Sequence, residues 1–307
     1  MPIRIAIIGY GKIARDQHVP SIAANPRFEL VAVASRNQRS EDVPSFSDHR
    51  QMIEQMAGRI DAVALCTPPT ARLGIARDSL AAGLHVLLEK PPAATLGEID
   101  EIERLAAEAN RTLFASWHSQ HAAGVSGARS ALAGQRIRSL DICWHEDVRK
   151  WHPGQEWIWA PGGFGVFDPG INALSIATRI LPIRLFVRSA SLVFPANRQT
   201  PIAAQIEFAG EDGPMTADFD WRCSEGESWT IRVETAEGRK VDLLDGGSRL
   251  TIDGVQQALP PHQEYSALYE RFGDLVETEQ SDVDKEPLRL VADSYLAASR
   301  IIDAPFD

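Results

Sequence analysis

The first 118 residues alternate short apolar runs with stretches of helical periodicity, and no other feature of the sequence constrains the fold as strongly. The apolar runs have the length of buried strands and lie at 3–8, 28–34, 60–65, 85–88 and 112–115. The helical stretches lie at about 12–24, 48–57, 70–82 and 96–109. Strands that are apolar throughout and alternate with helices predict a doubly wound, parallel α/β sheet covered on both faces.

The second part of the chain changes to an alternation in which every second residue is apolar, as in 140–148. Further strand-like segments, bounded by Gly, Pro, Asn or Asp, lie at 186–194, 202–208, 215–221, 229–235, 239–244 and 249–252. Short returns at 211–214 and 245–247 predict hairpin loops. The pattern predicts an open, mostly antiparallel sheet, followed by two helices at about 263–277 and 287–302.

These patterns predict two domains, which the length of 307 residues easily accommodates. The doubly wound domain spans residues 1–118, and an α+β domain spans residues 119–307, with the option that the C-terminal helix packs back on the first domain. A one-sided antiparallel sheet is expected to leave an apolar face that a second subunit covers. We therefore predict a homo-oligomer, most simply a dimer.

Charge and cysteine content narrow the partners and the compartment. The net charge of -11 argues against nucleic acid or an anionic membrane as the main partner, because both attract basic surfaces. Cys66, Cys143 and Cys223 share no close spacing, so neither a disulfide framework nor a metal site is expected. No apolar run has the length of a membrane span, and no secretion signal precedes the first strand. The expectation is a cytoplasmic protein.

A glycine motif follows the first predicted strand directly. Gly9 permits a tight turn, Gly11 lets the backbone approach a pyrophosphate, and Ala14 lets the following helix pack close to the strand. The N-terminus of that helix offers N–H groups and a positive dipole end to phosphates. Because the motif lies between a strand and a helix, it predicts a dinucleotide site. The other expected cofactor contacts are Lys12, Ile13, Ser35, Arg36, Thr67, Pro68, Glu89 and Lys90.

The end of the second predicted strand indicates which dinucleotide binds. An NAD-selective site usually has Asp or Glu here to hold the ribose 2′-hydroxyl, whereas an arginine accommodates a 2′-phosphate. This chain has Ser35 and Arg36, which can donate to a phosphate. NADP is therefore favoured over NAD, with a solvated loop arginine as the alternative interpretation.

Lys90 stands at the end of the fourth predicted strand, in the run Glu89-Lys90-Pro91-Pro92. Taken alone, it is more typical of a surface lysine than of a catalytic one. Together with the glycine motif, the open-sheet second part and the segment 162–172 (GGFGVFDPGIN), however, the run resembles the glucose–fructose oxidoreductase / inositol dehydrogenase family. The resemblance covers essentially the whole chain.

Three longer runs, 10–18, 151–155 and 167–175, are similar to those of bacterial aldose 1-dehydrogenases in that family, which act on D-galactose or L-arabinose. Most family members have His four residues after the Asp, but this chain has Asn172, as those aldose 1-dehydrogenases do. The resemblance implies an NAD(P)-dependent enzyme with a Rossmann domain that oxidises an aldopyranose at C1 to the aldonolactone. A non-catalytic sugar or dinucleotide sensor, and a dehydrogenase of another polyol such as inositol, are the alternatives.

The resemblance also implies roles for individual residues. Asp168 is the candidate general base and Lys90 the group that stabilises the developing alkoxide, with the reverse assignment open. The implied sugar contacts are His118, Glu146, Trp151, His152 and Asn172. From the residues alone, Asp168 and Asn172 share one helix face, although Asp168 can equally be an N-cap.

Glu146 has the strand parity of the apolar residues before it, so it is expected on the covered face, where a carboxylate needs partners. Those partners can be sugar hydroxyls or a nearby arginine. The tryptophans Trp151, Trp157 and Trp159 offer a stacking wall for a sugar ring, and aromatic core is the alternative for at least two of them.

Overall fold

The computed structural model describes residues 1–210, 212–261 and 264–307. One compact unit consists of Met1–His118 and Tyr265–Lys285, and a second consists of Ser119–Glu264 and Glu286–Asp307. The chain therefore enters the first unit twice. The second unit is accordingly not the continuous segment 119–307 expected from the sequence.

The first unit contains one six-stranded sheet in which all strand pairs are parallel, in the order β3-β2-β1-β4-β5-β6. Its strands are β1 (Ile3–Ile8), β2 (Phe28–Ala34), β3 (Ser45–Phe46), β4 (Ala62–Leu65), β5 (His85–Leu88) and β6 (Leu113–Ala115). The predicted doubly wound sheet is thus confirmed. Only β3 has no counterpart among the predicted strands, because two residues carry no periodic signal.

The helices of both units lie close to the predicted positions in most cases. They are α1 (Val19–Ala24), α2 (His49–Gln55), α3 (Arg72–Ala81), α4 (Leu96–Ala109), α5 (Val125–Leu132), α6 (Val148–Trp151), α7 (Phe167–Ile180), α8 (Glu264–Glu277) and α9 (Glu286–Ala297). A π-helical segment, Ala14–His18, precedes α1. Residues 211 and 263, which begin a predicted loop and a predicted helix, lie outside the described residues. No helix in the described part of the chain is long and apolar enough to cross a membrane.

Helix α8 explains why a late segment of the chain belongs to the first unit. Its Phe272 ring stacks on Phe28 and Phe114, with centroids 6.0 and 6.2 Å apart. These rings belong to one buried cluster together with apolar side chains of β1, β2 and β4. Burial of large aromatic side chains is a main source of folding free energy, so α8 is an integral part of this core.

The second unit contains a nine-stranded sheet in the order β14-β13-β12-β11-β7-β10-β9-β8-β15. Its strands are β7 (Ile137–His145), β8 (Val187–Pro195), β9 (Ala203–Phe208), β10 (Met215–Asp220), β11 (Ser228–Thr235), β12 (Lys240–Leu244), β13 (Arg249–Ile252), β14 (Val255–Gln256) and β15 (Ala298–Asp303). Only the β7–β10 and β8–β15 pairs are parallel, which confirms the mostly antiparallel prediction.

The last predicted helix, at about 287–302, extended too far along the chain. Helix α9 ends at Ala297, and the following residues form β15, which pairs in parallel with β8. Ile301 and Ile302 lie within β15. Branching at Cβ favours strands over helices, and an available sheet edge supplies the hydrogen bonds.

The face of this sheet opposite the helices is polar, which contradicts the predicted apolar face. Helices α5, α7 and α9 pack on the sheet, where residues such as Ile142 and Ala217 are buried. The alternate positions form rows of cross-strand neighbours, for example Cys143 beside Asp218 and Asp218 beside Gln205. Strict alternation has directed the apolar residues to the helix side. An apolar sheet face therefore no longer supports the predicted homo-oligomer, which stays a prediction.

Candidate active-site residues

The glycine turn of the first unit has the geometry that a dinucleotide requires. Gly9 has φ +97°, and a Cβ there would lie 2.7 Å from backbone atoms of Cys66 and Thr67, so that only glycine fits. At Gly11 a Cβ would meet no described atom within 4 Å, which leaves space for a ligand. The helical turn begins at Lys12, with Ile13 exposed and Ala14 buried against the sheet.

Further predicted cofactor residues follow the carboxyl ends of neighbouring parallel strands, where ligands of such sheets bind. Ser35 follows β2, and its backbone N–H donates to Phe46 O at 2.8 Å, while Arg36 is exposed. Thr67 and Pro68 follow β4. Thr67 Oγ1 is buried and has no hydrogen-bond partner among the described residues. A buried hydroxyl without a partner is unfavourable, so this atom fits a ligand contact.

The turn that carries Lys90 follows β5, and hydrogen bonds from buried side chains fix its main chain. Glu89 is 3% exposed, and its Oε2 accepts the backbone N–H of Lys90 at 2.7 Å. The Arg72 guanidinium donates to the carbonyls of Glu89 and Pro91, and its Nη2 donates to Thr67 O at 2.7 Å. The Lys90–Pro91 peptide bond is cis. Several fixed contacts therefore define where the main chain presents Lys90.

Glu89 was predicted to contact the cofactor, but its carboxylate is bound by protein donors. Oε1 accepts from the Tyr265 hydroxyl at 2.6 Å and lies 3.1 Å from His18 Nε2. His118, a predicted sugar contact, belongs to the same unit, and its ring stacks on Tyr265 with centroids 5.2 Å apart.

In the second unit, the structure places Glu146 directly after β7 and buries it to 6% exposure. Its Oε1 accepts from Trp221 Nε1 at 3.0 Å, and its Oε2 accepts from Trp229 Nε1 at 3.1 Å. Two neutral indole donors thus contact this carboxylate, one on each oxygen. Buried carboxylates need such donors to offset the loss of hydration.

The structure brings three of the predicted residues together. His152 Nε2 lies 3.6 Å from Asp168 Oδ2 and 3.9 Å from Glu146 Oε1. Asp168, 4% exposed, lies in the first turn of α7, with Asn172 one turn further along the same helix. The N-cap of α7 is Val166, without a side-chain cap bond, so the N-cap interpretation of Asp168 is wrong. Two buried carboxylates thus face one imidazole.

The tryptophans divide between surface and core. Trp151 is 42% exposed, its Nε1 donates to Glu227 at 2.6 Å, and its ring packs against Trp229 at 5.6 Å. Trp159 is buried against Trp221 at 5.3 Å, while Trp157 is half-buried. Trp151 can therefore contact a ligand, and Trp159 serves the core.

Sequence reasoning missed the residues that hold the carboxylates. Trp221 and Trp229 orient Glu146, while His18 and Arg72 surround the Lys90 turn. Trp221 directly follows β10, whose register pairs Asp220 with His145, immediately before Glu146. That register is the signal, but it becomes visible only once β10 is known to pair with β7.

A parallel sheet with a glycine turn, joined to a unit with paired buried carboxylates, defines a dinucleotide-dependent oxidoreductase. Residues 3–116 match the model of the GFO/IDH/MocA oxidoreductase family, NAD-binding Rossmann fold. The chain belongs to this family, as its sequence motifs suggested. It is 47% identical over 309 aligned residues to galactose 1-dehydrogenase of Pseudomonas fluorescens, with 100% of this chain and 99% of that protein covered.

Solved structures agree with this assignment. The crystal structure of a D-galactose-1-dehydrogenase protein from Rhizobium etli has a TM-score of 0.94 and 50% identity, and the match covers 100% of this chain and 98% of that one. A 3-ketoreductase from Actinomadura kijaniata, crystallised with NADP, has a TM-score of 0.84 at 19% identity, covering 99% and 100% of the two chains. That second likeness shows a shared fold.

Proposed function

We propose that this chain is an aldose 1-dehydrogenase that oxidises D-galactose, and L-arabinose as a second substrate, at C1 to the aldonolactone. The observation that carries the proposal is the cluster of Asp168, His152 and Glu146, in a chain 47% identical over its full length to a galactose 1-dehydrogenase. Buried carboxylates beside an imidazole suit a ligand that offers several hydroxyl groups.

Asp168 is the general base in this proposal. It accepts the proton of the C1 hydroxyl, and His152 at 3.6 Å fixes the orientation of the carboxylate. Its position in the first turn of α7 keeps the side chain on a rigid element. Lys90 stabilises the negative charge that develops on the C1 oxygen, and an exchange of these two roles is the alternative.

The remaining predicted residues bind the sugar. Glu146 accepts hydrogen bonds from ring hydroxyls, and the indoles of Trp221 and Trp229 hold its carboxylate in place. His152, Asn172 and His118 supply further polar contacts, and exposed Trp151 offers an aromatic face. D-galactose and L-arabinose share the configuration at C2, C3 and C4 of the pyranose, so one set of polar groups can accept both.

The glycine turn, Thr67 and the residues after β2 would hold the dinucleotide. When bound, its nicotinamide supplies the acceptor for the hydride that leaves C1. We further propose a preference for NADP, because Ser35 and Arg36 stand where an acidic side chain would repel a 2′-phosphate. We place the enzyme in the cytoplasm, since Cys66, Cys143 and Cys223 are all free.

The test is a panel of D-galactose, L-arabinose, D-glucose and inositol, each assayed with NAD and NADP by the absorbance of the reduced nicotinamide. We expect the highest kcat/KM for D-galactose with NADP. Turnover of inositol alone would replace the substrate assignment by a polyol dehydrogenase. Saturable binding of galactose, without turnover in the presence of either cofactor, would favour a non-catalytic sugar sensor.

A further inference from the structure

A buried histidine connects the helix after the glycine turn with the turn that carries Lys90. His18 closes the π-helical segment Ala14–His18 and is 0% exposed. Its Nδ1 lies 2.8 Å from the Tyr269 hydroxyl, and its Nε2 lies 3.1 Å from Glu89 Oε1. π-helical segments inside α-helices occur frequently at functional sites, and this one directs the imidazole toward the end of β5.

The surroundings of this pair favour the charged form of both members. Burial alone raises the pKa of Glu89, but hydrogen bonds and charges from His18, His118 and Tyr265 lower it to about 2. Burial likewise disfavours the imidazolium, but Cys66, Tyr269 and Glu89 raise the pKa of His18 well above its ordinary value. As an imidazolium, His18 donates from both ring nitrogens, to Tyr269 and to Glu89.

The second oxygen of Glu89 makes the pair relevant to Lys90. Oε2 accepts the backbone N–H of Lys90 at 2.7 Å. The carbonyls of Glu89 and Pro91, on either side, accept from the buried Arg72 guanidinium. The main chain is therefore fixed before, at and after Lys90.

We propose that His18 and Glu89 are positioning residues for Lys90, which they hold through a buried ionic pair anchored on the helix that follows the glycine turn. The proposal rests on the proposed function only in that Lys90 acts on the sugar. A buried ion pair is a poor source of stability, because its desolvation cost offsets its attraction. Its value here is the fixed direction of the Glu89 carboxylate, which a neutral side chain would hold less firmly.

The test compares Glu89→Gln, His18→Gln and the double variant with the wild type. Since the double variant buries no charge, it is expected to fold even where a single variant does not. His49→Gln is the matched control, because His49 Nε2 contacts Asp78 Oδ2 at 2.8 Å in the same unit, as a comparable histidine–carboxylate pair.

Two measurements separate positioning from a structural role. Amide hydrogen exchange, detected by mass spectrometry, measures the protection of the Lys90 N–H and requires no catalytic turnover. We expect exchange roughly tenfold faster or more in Glu89→Gln and in the double variant, since a hydrogen bond to a charged group protects it by about that factor. We also expect kcat to fall about ten- to a hundredfold, the effect of a small misplacement.

The isotope effect on kcat with C1-deuterated D-galactose completes the test. A misplaced Lys90 slows hydride transfer itself and raises the isotope effect, whereas a smaller folded fraction lowers kcat and leaves the isotope effect unchanged. Unchanged exchange at Lys90 in both Glu89 variants would overturn the proposal. An inactive wild type would count against the proposed function alone, because the exchange measurement would still decide whether Glu89 holds Lys90.

Discussion

Glu89 in the first unit and Glu146 in the second are almost equally buried, at 3% and 6% exposure, but they are held in different ways. Glu89 faces a cation, His18, and accepts from a tyrosine hydroxyl and a backbone N–H. Glu146 is held by two neutral indole donors, with the His152 imidazole at 3.9 Å.

Burial alone therefore does not assign a role to a carboxylate. A carboxylate neutralised by an internal cation is suited to fix the backbone, because its charge is already balanced. Each oxygen of the Glu146 carboxylate accepts from one indole, and a carboxylate oxygen has a second acceptor position to which a ligand hydroxyl can donate. We therefore expect variants of Glu89 to lower kcat, and variants of Glu146 to raise KM for the sugar.

The largest effect is expected from Asp168→Asn, at the third buried carboxylate. The substitution keeps the volume but removes proton acceptance, to which general bases contribute about 10²- to 10⁴-fold. We expect kcat to fall by that factor while sugar binding persists. Steady-state kinetics with a thermal unfolding control checks this. If turnover falls less than about tenfold in a folded variant, the base is another group, with Lys90 the candidate.

Glu146→Gln tests whether this second glutamate binds the sugar. Hydrogen bonds to charged groups contribute roughly 1.5 to 3 kcal/mol, and about 1.4 kcal/mol corresponds to a factor of ten. We expect KM for D-galactose to rise about ten- to a hundredfold, with KM for the dinucleotide unchanged. Trp151→Phe keeps both indole donors to Glu146 and retains an aromatic face for the sugar, so it should change KM for D-galactose much less. A fall in kcat without a rise in KM would mean that Glu146 resembles Glu89 in its role.

The sequence predicted those parts of the molecule whose signal is local. The strands of the first sheet appeared as apolar runs, and Gly9, Gly11 and Ala14 lie within one turn. Asp168 and Asn172 are one helical turn apart. Such patterns depend on spacing along the chain, and the structure preserves them.

Sequence could not supply what depends on distant contacts. His18 meets a tyrosine 251 positions away and a glutamate 71 positions away. The indoles on Glu146 come from 75 and 83 positions further along. No periodicity encodes such pairs. The strand β15 was missed for the same reason, because Ala298 in β15 pairs with Ala190 in β8, 108 positions earlier (298 − 190).

Arg36→Ala tests whether this exposed side chain of the first unit determines the preference for NADP over NAD. Removing the guanidinium should lower kcat/KM for NADP about ten- to a hundredfold, by the same hydrogen-bond contribution. The value for NAD should change little, because its 2′-hydroxyl carries no charge. Ser35→Asp should shift the ratio further toward NAD, since a carboxylate repels the phosphate. An unchanged ratio in Arg36→Ala would identify Arg36 as a solvated loop residue.

The smallest expected effect is on stability, and it tests the ionic state of the Glu89–His18 pair without any substrate. The folded pKa of Glu89 is about 2, below the ordinary 4.5, so its contribution is complete above about pH 4.5 and is lost as the pH falls toward 2. The folded pKa of His18 is raised well above 6.5, so its contribution is complete below about pH 6.5 and is lost as the pH rises through the folded value. The pair therefore stabilises most between these limits.

Thermal unfolding of the wild type and of His18→Gln/Glu89→Gln across this range measures that contribution. Since 1 kcal/mol corresponds to roughly 2–4 °C in a domain of this size, we expect the Tm of the wild type to fall relative to that of the double variant by on the order of 5 °C from about pH 5.5 to about pH 3. His49→Gln should change the acid limb less, because Arg50 still contacts Asp78 and continues to lower its pKa. A Tm difference that does not vary with pH would mean that the pair is not ionic. The contrast between Glu89 and Glu146 would then need another physical basis.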